Sequence, residues 1–384
     1  MSFVFGNHHR GRVLSVVTVS LAVLMTGWTV PAAAGEKPLK VVTTLPVLAS
    51  LATAVGGTRV QASALAKAFQ DPHFVQPRPT LMKAVRDADV FIESGLGLEL
   101  WAEKVTAGSG NPNVQLGRPG RIIASRGVAT LEVPTILSRE WGDVHPQGNP
   151  HIWLDPLIAE KMAANIGAGL AAVDPAGRAD YRAGVAAFVR RVDRSLFGRA
   201  LIEAVGPSKL RRLAESGELF AYLRRHKLQG QLGGWMKRML PLRGRELVSY
   251  HKAWIYFATR FGVTIPIELE DKPGITPSAR HRDKVIATIK ADKVAAIIMA
   301  AYYDRRTADY VSAHTGVPVL ILPVQTYDGD VGGRYEDLID GIIDRLVAAL
   351  VPHPTDNRSA PTQDGTHATG AGGKTAAGSE AKKR

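Results

Sequence analysis

The run Leu39-Lys40-Val41-Val42-Thr43-Thr44-Leu45 is rich in β-branched residues and predicts a buried β-strand. A helical pattern follows at residues 46–55, and a second strand pattern follows at 60–65. Gly56 and Gly57 separate the two patterns and predict the end of the helix. Because strands that alternate with helices form parallel sheets covered on both faces, this beginning predicts an α/β fold.

The same alternation continues along the rest of the chain. Helical patterns lie at residues 80–87, 156–173, 176–205, 254–261, 278–292, 305–314 and 335–350, and strand patterns lie at 88–92, 246–250, 263–269, 294–299 and 317–322. We interpret the longest helical pattern, at residues 176–205, as a connector between two halves of the chain. The polar and basic segment 211–243 predicts an extra helical excursion, and its pattern indicates no function.

The N-terminus has the three regions of a secretory signal peptide. Arg10 and Arg12 precede an apolar run at residues 13–25, and Ala32 and Ala34 fit the small-x-small cleavage rule. The apolar run is shorter than the roughly 20 residues that span a bilayer. We therefore predict an exported protein whose mature chain starts after residue 34.

Composition narrows the function classes. The chain has no cysteine, which excludes disulfides, thiolate metal ligands and a lipid-modified cysteine within this sequence. On this basis we expect a periplasmic protein that is not a lipoprotein. The net charge is +13, but no basic run is interleaved with aromatic residues as strand-stacking nucleic-acid binders require, so we expect no nucleic-acid partner.

These patterns give a domain organisation. The tail lacks large apolar residues and predicts disorder. We expect a signal peptide at residues 1–34, an N-terminal α/β lobe at 35–174, a connecting helix at 175–205, a C-terminal α/β lobe at 206–352 and a disordered tail at 353–384.

Three histidines, His73, His151 and His251, lie far apart in the chain, in short stretches punctuated by Pro, Asp or Gly. Each position is compatible with the carboxyl end of a strand, which is where open parallel sheets bind ligands. Each histidine alone is as well explained as an ordinary loop residue. Taken together, they predict one composite site, because three imidazoles and one carboxylate complete a tetrahedral shell around Zn²⁺.

The segments around these histidines resemble the metal-binding segments of the zinc- and manganese-type solute-binding proteins of ABC transporters. The similar segments are Asp71-Pro72-His73, Asn149-Pro150-His151-Ile152-Trp153-Leu154-Asp155-Pro156 and Ser249-Tyr250-His251-Lys252-Ala253-Trp254. The resemblance implies two (βα) lobes with parallel sheets, joined by a long rigid helix, with the metal in the cleft between the lobes. It also implies no catalysis, and delivery of the ion to an ABC transporter permease in the inner membrane. We expect the protein to be a monomer.

The resemblance also implies a ligand set. His73 and His151 come from the first lobe and His251 from the second. The family places its fourth ligand, an Asp or Glu, in a glycine-containing loop before the last helix, commonly two residues before a Tyr. Here that slot is Gly333, so the sequence departs from the family pattern. The glycines make the loop adaptable, and we assign the fourth position to Asp330, with Asp328 as the alternative.

Several alternatives remain open on the sequence alone. The ligand set favours Zn²⁺, with Mn²⁺ or iron as the alternative ion. An exported zinc hydrolase is a weaker rival, since the chain lacks a His-Glu-x-x-His helix. His145 is either an accessory ligand or a loop residue. Asp155 and Glu270 are candidate acceptors for a ligand imidazole, and Asp155 fits a helix cap equally well.

Overall fold

The structure is a computed structural model that describes residues 1–4, 6, 37–135 and 145–352. The predicted tail and most of the predicted signal peptide lie outside the described residues. The residues from Pro38 onward form one contact unit that holds both sheets. No helix among the described residues is long and apolar enough to cross a membrane.

Two parallel sheets organise the fold. The first contains β1 (Leu39–Thr43), β2 (Val60–Ala64), β3 (Val90–Glu93) and β4 (Arg121–Ile123) in the order β2-β1-β3-β4. The second contains β5 (Leu247–Ser249), β6 (Ala296–Met299) and β7 (Val319–Ile321) in that order. All five strand pairings are parallel, so the predicted α/β class is confirmed.

Thirteen α-helices lie among the described residues. They are α1 (Pro46–Gly56), α2 (Pro79–Arg86), α3 (Leu100–Ser109), α4 (Pro156–Val173), α5 (Arg178–Phe197), α6 (Arg199–Val205), α7 (Pro207–Glu215), α8 (Leu219–Arg225), α9 (Gly234–Arg238), α10 (Ile255–Phe261), α11 (Ala279–Asp292), α12 (Arg305–Thr315) and α13 (Tyr335–Leu350). The predicted excursion at 211–243 is thus helical, with α7, α8 and α9 as its main elements.

The long helix α5 is shorter than the helical pattern at residues 176–205 that predicted it. It ends at Phe197, because Gly198 adopts φ +79° and starts a new helix, α6. A Cβ atom at Gly198 would lie 2.5 Å from the Cα atom of Gly233. The two backbone segments can therefore come this close only because residue 198 has no side chain. The single helix predicted at residues 176–205 is therefore divided into α5 and α6.

The strand predicted at residues 263–269 does not form as a strand. The segment makes two isolated bridges instead, Glu246 with Thr264 and Ser249 with Glu268. Pro266 lies between the bridges and has no N–H to donate, which interrupts the ladder.

The two halves share a core and several buried hydrogen bonds. The main buried cluster draws apolar side chains from the first sheet, from α1 and α5, and from α13. The indole Nε1 of Trp153 donates to the carbonyl of Val324 at 2.9 Å, and the hydroxyl of Tyr335 donates to the carbonyl of Trp153 at 2.8 Å. Arg260 binds both carboxylate oxygens of Asp155 at 2.8 Å. These contacts fix the loop that carries His151 against the second half of the chain.

Candidate metal centre

Three imidazoles from distant parts of the chain meet in one buried triangle, formed by His73, His151 and His251. The ring centroids are 5.2, 5.3 and 5.4 Å apart. One ligand nitrogen from each residue lies within 4.8 Å of the other two. The three residues are 8%, 2% and 5% exposed, so water has little access to them. We call this group the imidazole triangle.

His73 is fixed by the loop between β2 and α2. Oδ1 of Asp71 accepts hydrogen bonds from the backbone nitrogen of His73 at 3.0 Å and from its ring Nδ1 at 2.7 Å. The indole of Trp101 donates to the carbonyl of Pro72 at 2.8 Å and holds the loop from the other side. Burial acts to raise the pKa of Asp71, yet its hydrogen bonds and the charge of His73 outweigh it and lower that pKa.

His151 is held in the same way as His73. Oδ1 of Asn149 lies 3.0 Å from the backbone nitrogen of His151 and 3.0 Å from its ring Nδ1. Asn149 also donates from Nδ2 to the carbonyl of Lys252 at 2.6 Å, so it joins this loop to the segment that carries His251. A single Asx-Pro-His pattern thus builds two corners of the imidazole triangle.

His251 follows β5 and is oriented by Glu270. Its Nδ1 lies 2.8 Å from Oε2 of Glu270. The backbone nitrogen of Glu270 donates to the carbonyl of Tyr250 at 2.8 Å, which sets the carboxylate beside the imidazole. The sequence predicted Glu270 as an acceptor, and the structure places it in contact with His251.

The protonation of His151 and the engagement of Nδ1 in all three rings suit a metal. Burial, followed by the nearby imidazoles of His73, His251 and His145, lowers the pKa of His151 well below its usual range, so this ring is neutral. In each ring Nδ1 is engaged, which leaves Nε2 as the free donor. Nε2 of His73 and of His151 are buried and have no hydrogen-bond partner among the described residues. Such orphaned nitrogens are costly unless something else binds them.

The spacing of the triangle also fits a tetrahedral ion. Two imidazoles bound to one zinc at about 2.0–2.1 Å have ring centres about 5 Å apart. The observed separations of 5.2 to 5.4 Å match one face of such a tetrahedron. Small side-chain rotations therefore suffice to close the three nitrogens around an ion.

The two aspartates expected at the fourth position are not in the cluster of ligand atoms. The Asp330 side chain is 84% exposed and forms an ion pair with Arg345. Asp328 is half-buried, and burial raises its pKa. Of the two, Asp328 is the less exposed.

The structure also shows the contacts of the other residues that the sequence singled out. Asp155 caps α4 by accepting from the backbone nitrogen of Leu157 at 2.9 Å and binds Arg260, so its contacts are those of a cap and an ion pair. His145 is half-buried, and its ring centroid lies 5.3 Å from that of His73. The sequence reasoning missed the acceptors Asp71 and Asn149. The signal that reveals them is their position two residues before a histidine, where Asx side chains bond to nearby backbone N–H groups.

The parallel sheets and the buried imidazole triangle together define a protein that binds a metal ion. Residues 41–227 and 225–349 match the model of the family described as zinc-uptake complex component A, periplasmic, or ZnuA. This match covers most of the chain, and the chain therefore belongs to the ZnuA family. It is a metal-binding substrate-binding protein of an ABC transporter. Proteins of this class work with a membrane permease.

Individual relatives differ in the metal that their names give. The iron ABC transporter substrate-binding lipoprotein MtsA of Streptococcus pyogenes serotype M1 is 23% identical over 288 residues, which cover 73% of this chain and 78% of MtsA. The manganese ABC transporter substrate-binding lipoprotein PsaA of Streptococcus pneumoniae is 21% identical over 319 residues, which cover 81% and 89%. The crystal structure of ZnuA superposes with a TM-score of 0.61 at 22% identity, covering 82% of this chain and all of ZnuA. This likeness shows the shared two-lobed fold.

One expectation from the sequence is wrong. We expected a periplasmic protein that is not a lipoprotein, but MtsA and PsaA are both named lipoproteins. The expectation rested only on the absence of cysteine from this sequence.

Proposed function

We propose that this protein captures Zn²⁺ between its two halves and delivers it, as a monomer, to the permease of an ABC transporter. His73 and His151 from the first half and His251 from the second half hold the ion through Nε2. The observation that carries the proposal is the buried triangle of three imidazoles, each with its Nδ1 engaged by an acceptor. Ligands from both halves allow the bound ion to fix the two halves relative to each other.

Zinc is the ion that this donor set supports best. Imidazole nitrogens suit zinc and other late divalent metals, whereas manganese is better served by oxygen. The relatives bear names that give iron and manganese, so Mn²⁺ and iron are the alternatives to test.

The sequence assigns the fourth donor to a carboxylate of the loop at residues 327–333. Asp330 would have to leave Arg345 and turn inward from a largely exposed position. Asp328 starts from a half-buried position and is the better placed of the two. The Asp328→Asn and Asp330→Asn variants test both assignments.

Competition with a chromogenic chelator tests the proposal directly. We expect each of His73→Ala, His151→Ala and His251→Ala to weaken zinc binding by at least about tenfold. Losing a residue that binds the metal should lower the affinity at least as much as losing a residue that only orients a ligand. His226→Ala is the matched control, since His226 is exposed on the excursion and touches none of the three. Circular dichroism confirms that each variant is folded.

The same titrations with Mn²⁺ and Fe²⁺, done without oxygen, rank the ions. We expect zinc to bind most tightly. If all three folded triangle variants bind zinc as tightly as the unchanged protein, the site does not exist as proposed. Tighter binding of manganese or iron than of zinc would keep the site and overturn the choice of ion.

A further inference from the structure

A fourth imidazole, that of His145, lies beside the imidazole triangle. Its ring centroid is 5.3 Å from that of His73, which equals the separation between His73 and His151. The residue comes from a different turn than the three histidines and is half-buried. It therefore lies at the distance from His73 that a second ligand of the same ion would have.

We propose that His145 supplies the fourth donor, so that the ion is held by four imidazole nitrogens rather than by three and a carboxylate. The inference rests on the proposed function, since it concerns the same ion. His145 lies outside the group of nitrogens within 4.8 Å of one another, so its side chain must rotate toward the ion.

The backbone fixes His145 from its carboxyl side. The backbone nitrogen of Gly148 donates to the carbonyl of His145 at 3.0 Å, and the hydroxyl of Thr130 donates to the carbonyl of Gln147 at 2.6 Å. Gly148 adopts φ +100°, and a Cβ atom there would meet Thr130 at 2.7 Å. A turn held this closely places a ligand with little loss of entropy on binding.

One nitrogen of the His145 ring already lies against the protein. A Cβ atom at Gly97 would lie 3.7 Å from Nδ1 of His145, so this nitrogen faces the turn at Gly97. Nε2 of His145 is buried. The same arrangement, Nδ1 toward the protein and Nε2 as the donor, holds in the imidazole triangle.

The carboxylates are less well placed than this imidazole. Asp330 is exposed and paired with Arg345, and Asp71 and Glu270 are each engaged with a ring Nδ1. Four imidazole nitrogens favour late divalent ions such as Zn²⁺ and Co²⁺ and disfavour Mn²⁺. His145 would thus be a residue that determines metal specificity.

X-ray absorption at the zinc edge of the zinc-loaded protein counts the imidazoles around the ion. We expect four in the unchanged protein and three plus one oxygen donor in His145→Ala. We also expect zinc affinity to fall by at least about tenfold in His145→Ala, whereas a fall in Asp328→Asn or Asp330→Asn with none in His145→Ala would place the fourth donor on that carboxylate instead. His145→Asp replaces nitrogen by oxygen and should raise the affinity for Mn²⁺ relative to Zn²⁺.

The outcomes separate the two proposals. If the unchanged protein binds no zinc, manganese or iron, the proposed function fails. If it binds zinc through three imidazoles and one oxygen, and His145→Ala is unaffected, only the role of His145 fails. His226→Ala is again the control, and His145→Gln repeats the test should the alanine variant not fold.

Discussion

Oδ1 of Asn149 lies 3.0 Å from both the backbone nitrogen and the ring Nδ1 of His151. Asp71 makes the same pair of contacts to His73, at 3.0 and 2.7 Å. In each case a single oxygen sets both the backbone turn and the tautomer of the imidazole two residues later. The intervening proline fixes its own φ and restricts the residue before it, which keeps the acceptor in reach.

Removing such an acceptor should weaken metal binding without removing a ligand. We expect Asp71→Ala to lower zinc affinity about 10- to 100-fold, the usual effect of losing a partner that orients a ligand. Asp71→Asn keeps an oxygen acceptor and should lose less. Isothermal titration with zinc measures both, and Asp87→Ala, at the end of α2, is the control. Equal affinities for Asp71→Ala and the control would show that the contact does not orient His73.

The Asp155–Arg260 pair should be important for stability. Both side chains are buried, and removing one partner of a buried pair costs about 3–5 kcal/mol because the other charge is left unpaired. We expect Arg260→Met to lower the free energy of unfolding by that order. The double variant Asp155→Asn/Arg260→Met keeps an oxygen to cap α4 and should recover part of the loss. Urea denaturation followed by circular dichroism checks this, and no recovery in the double variant would contradict it.

Glu160 should make stability depend on pH. Burial, and then the neighbouring Asp193, raise the pKa of Glu160 from 4.5 to about 8. Between these values the folded chain holds more protons than the unfolded chain, so the free energy of unfolding falls as the pH rises. This contribution is fully present below pH 4.5 and is lost by about pH 8.

The Glu160→Gln variant isolates that contribution. We expect it to match the unchanged protein near pH 5 and to be more stable near pH 8 by at least about 1 kcal/mol, since one pKa unit corresponds to about 1.4 kcal/mol. Glu203→Gln is the control, because Glu203 is exposed and pairs with Arg199 on the surface. Thermal unfolding at the two pH values measures this difference in stability. If the stability of the variant and of the unchanged protein changes with pH in the same way, Glu160 is not the group responsible.

Gly184 should be essential for the packing of α5 on α1. A Cβ atom at Gly184 would overlap the backbone carbonyl of Val55, which cannot move aside as a side chain can. We expect Gly184→Ala to destabilise the fold by about 1–3 kcal/mol, as overpacking does. Gly108→Ala in α3 would meet only the flexible side chain of Met82 and should cost less. Thermal denaturation compares the two, and equal stability of both variants would contradict the packing argument.

Local patterns predicted much of the fold. The strand pattern at residues 39–45 and the helical patterns at 46–55 and 156–173 correspond to β1, α1 and α4. Two longer predicted elements were wrong at positions where one residue determines the backbone conformation or its hydrogen bonding. Gly198 ends α5, and Pro266 breaks the predicted strand, because the first has a positive φ and the second lacks an N–H.

The sequence by itself determined the α/β class, the three loop histidines and the family resemblance, since these depend on short-range periodicity and on local motifs. Only the tertiary structure decided that the imidazoles converge, because their loops are joined through contacts such as that between Asn149 and Lys252, about 100 residues apart. It also decided the surroundings of the fourth position. Asp330 is drawn outward by Arg345, while His145 is brought beside His73. Charge pairing and loop closure act between residues distant in sequence, and no local pattern reports them.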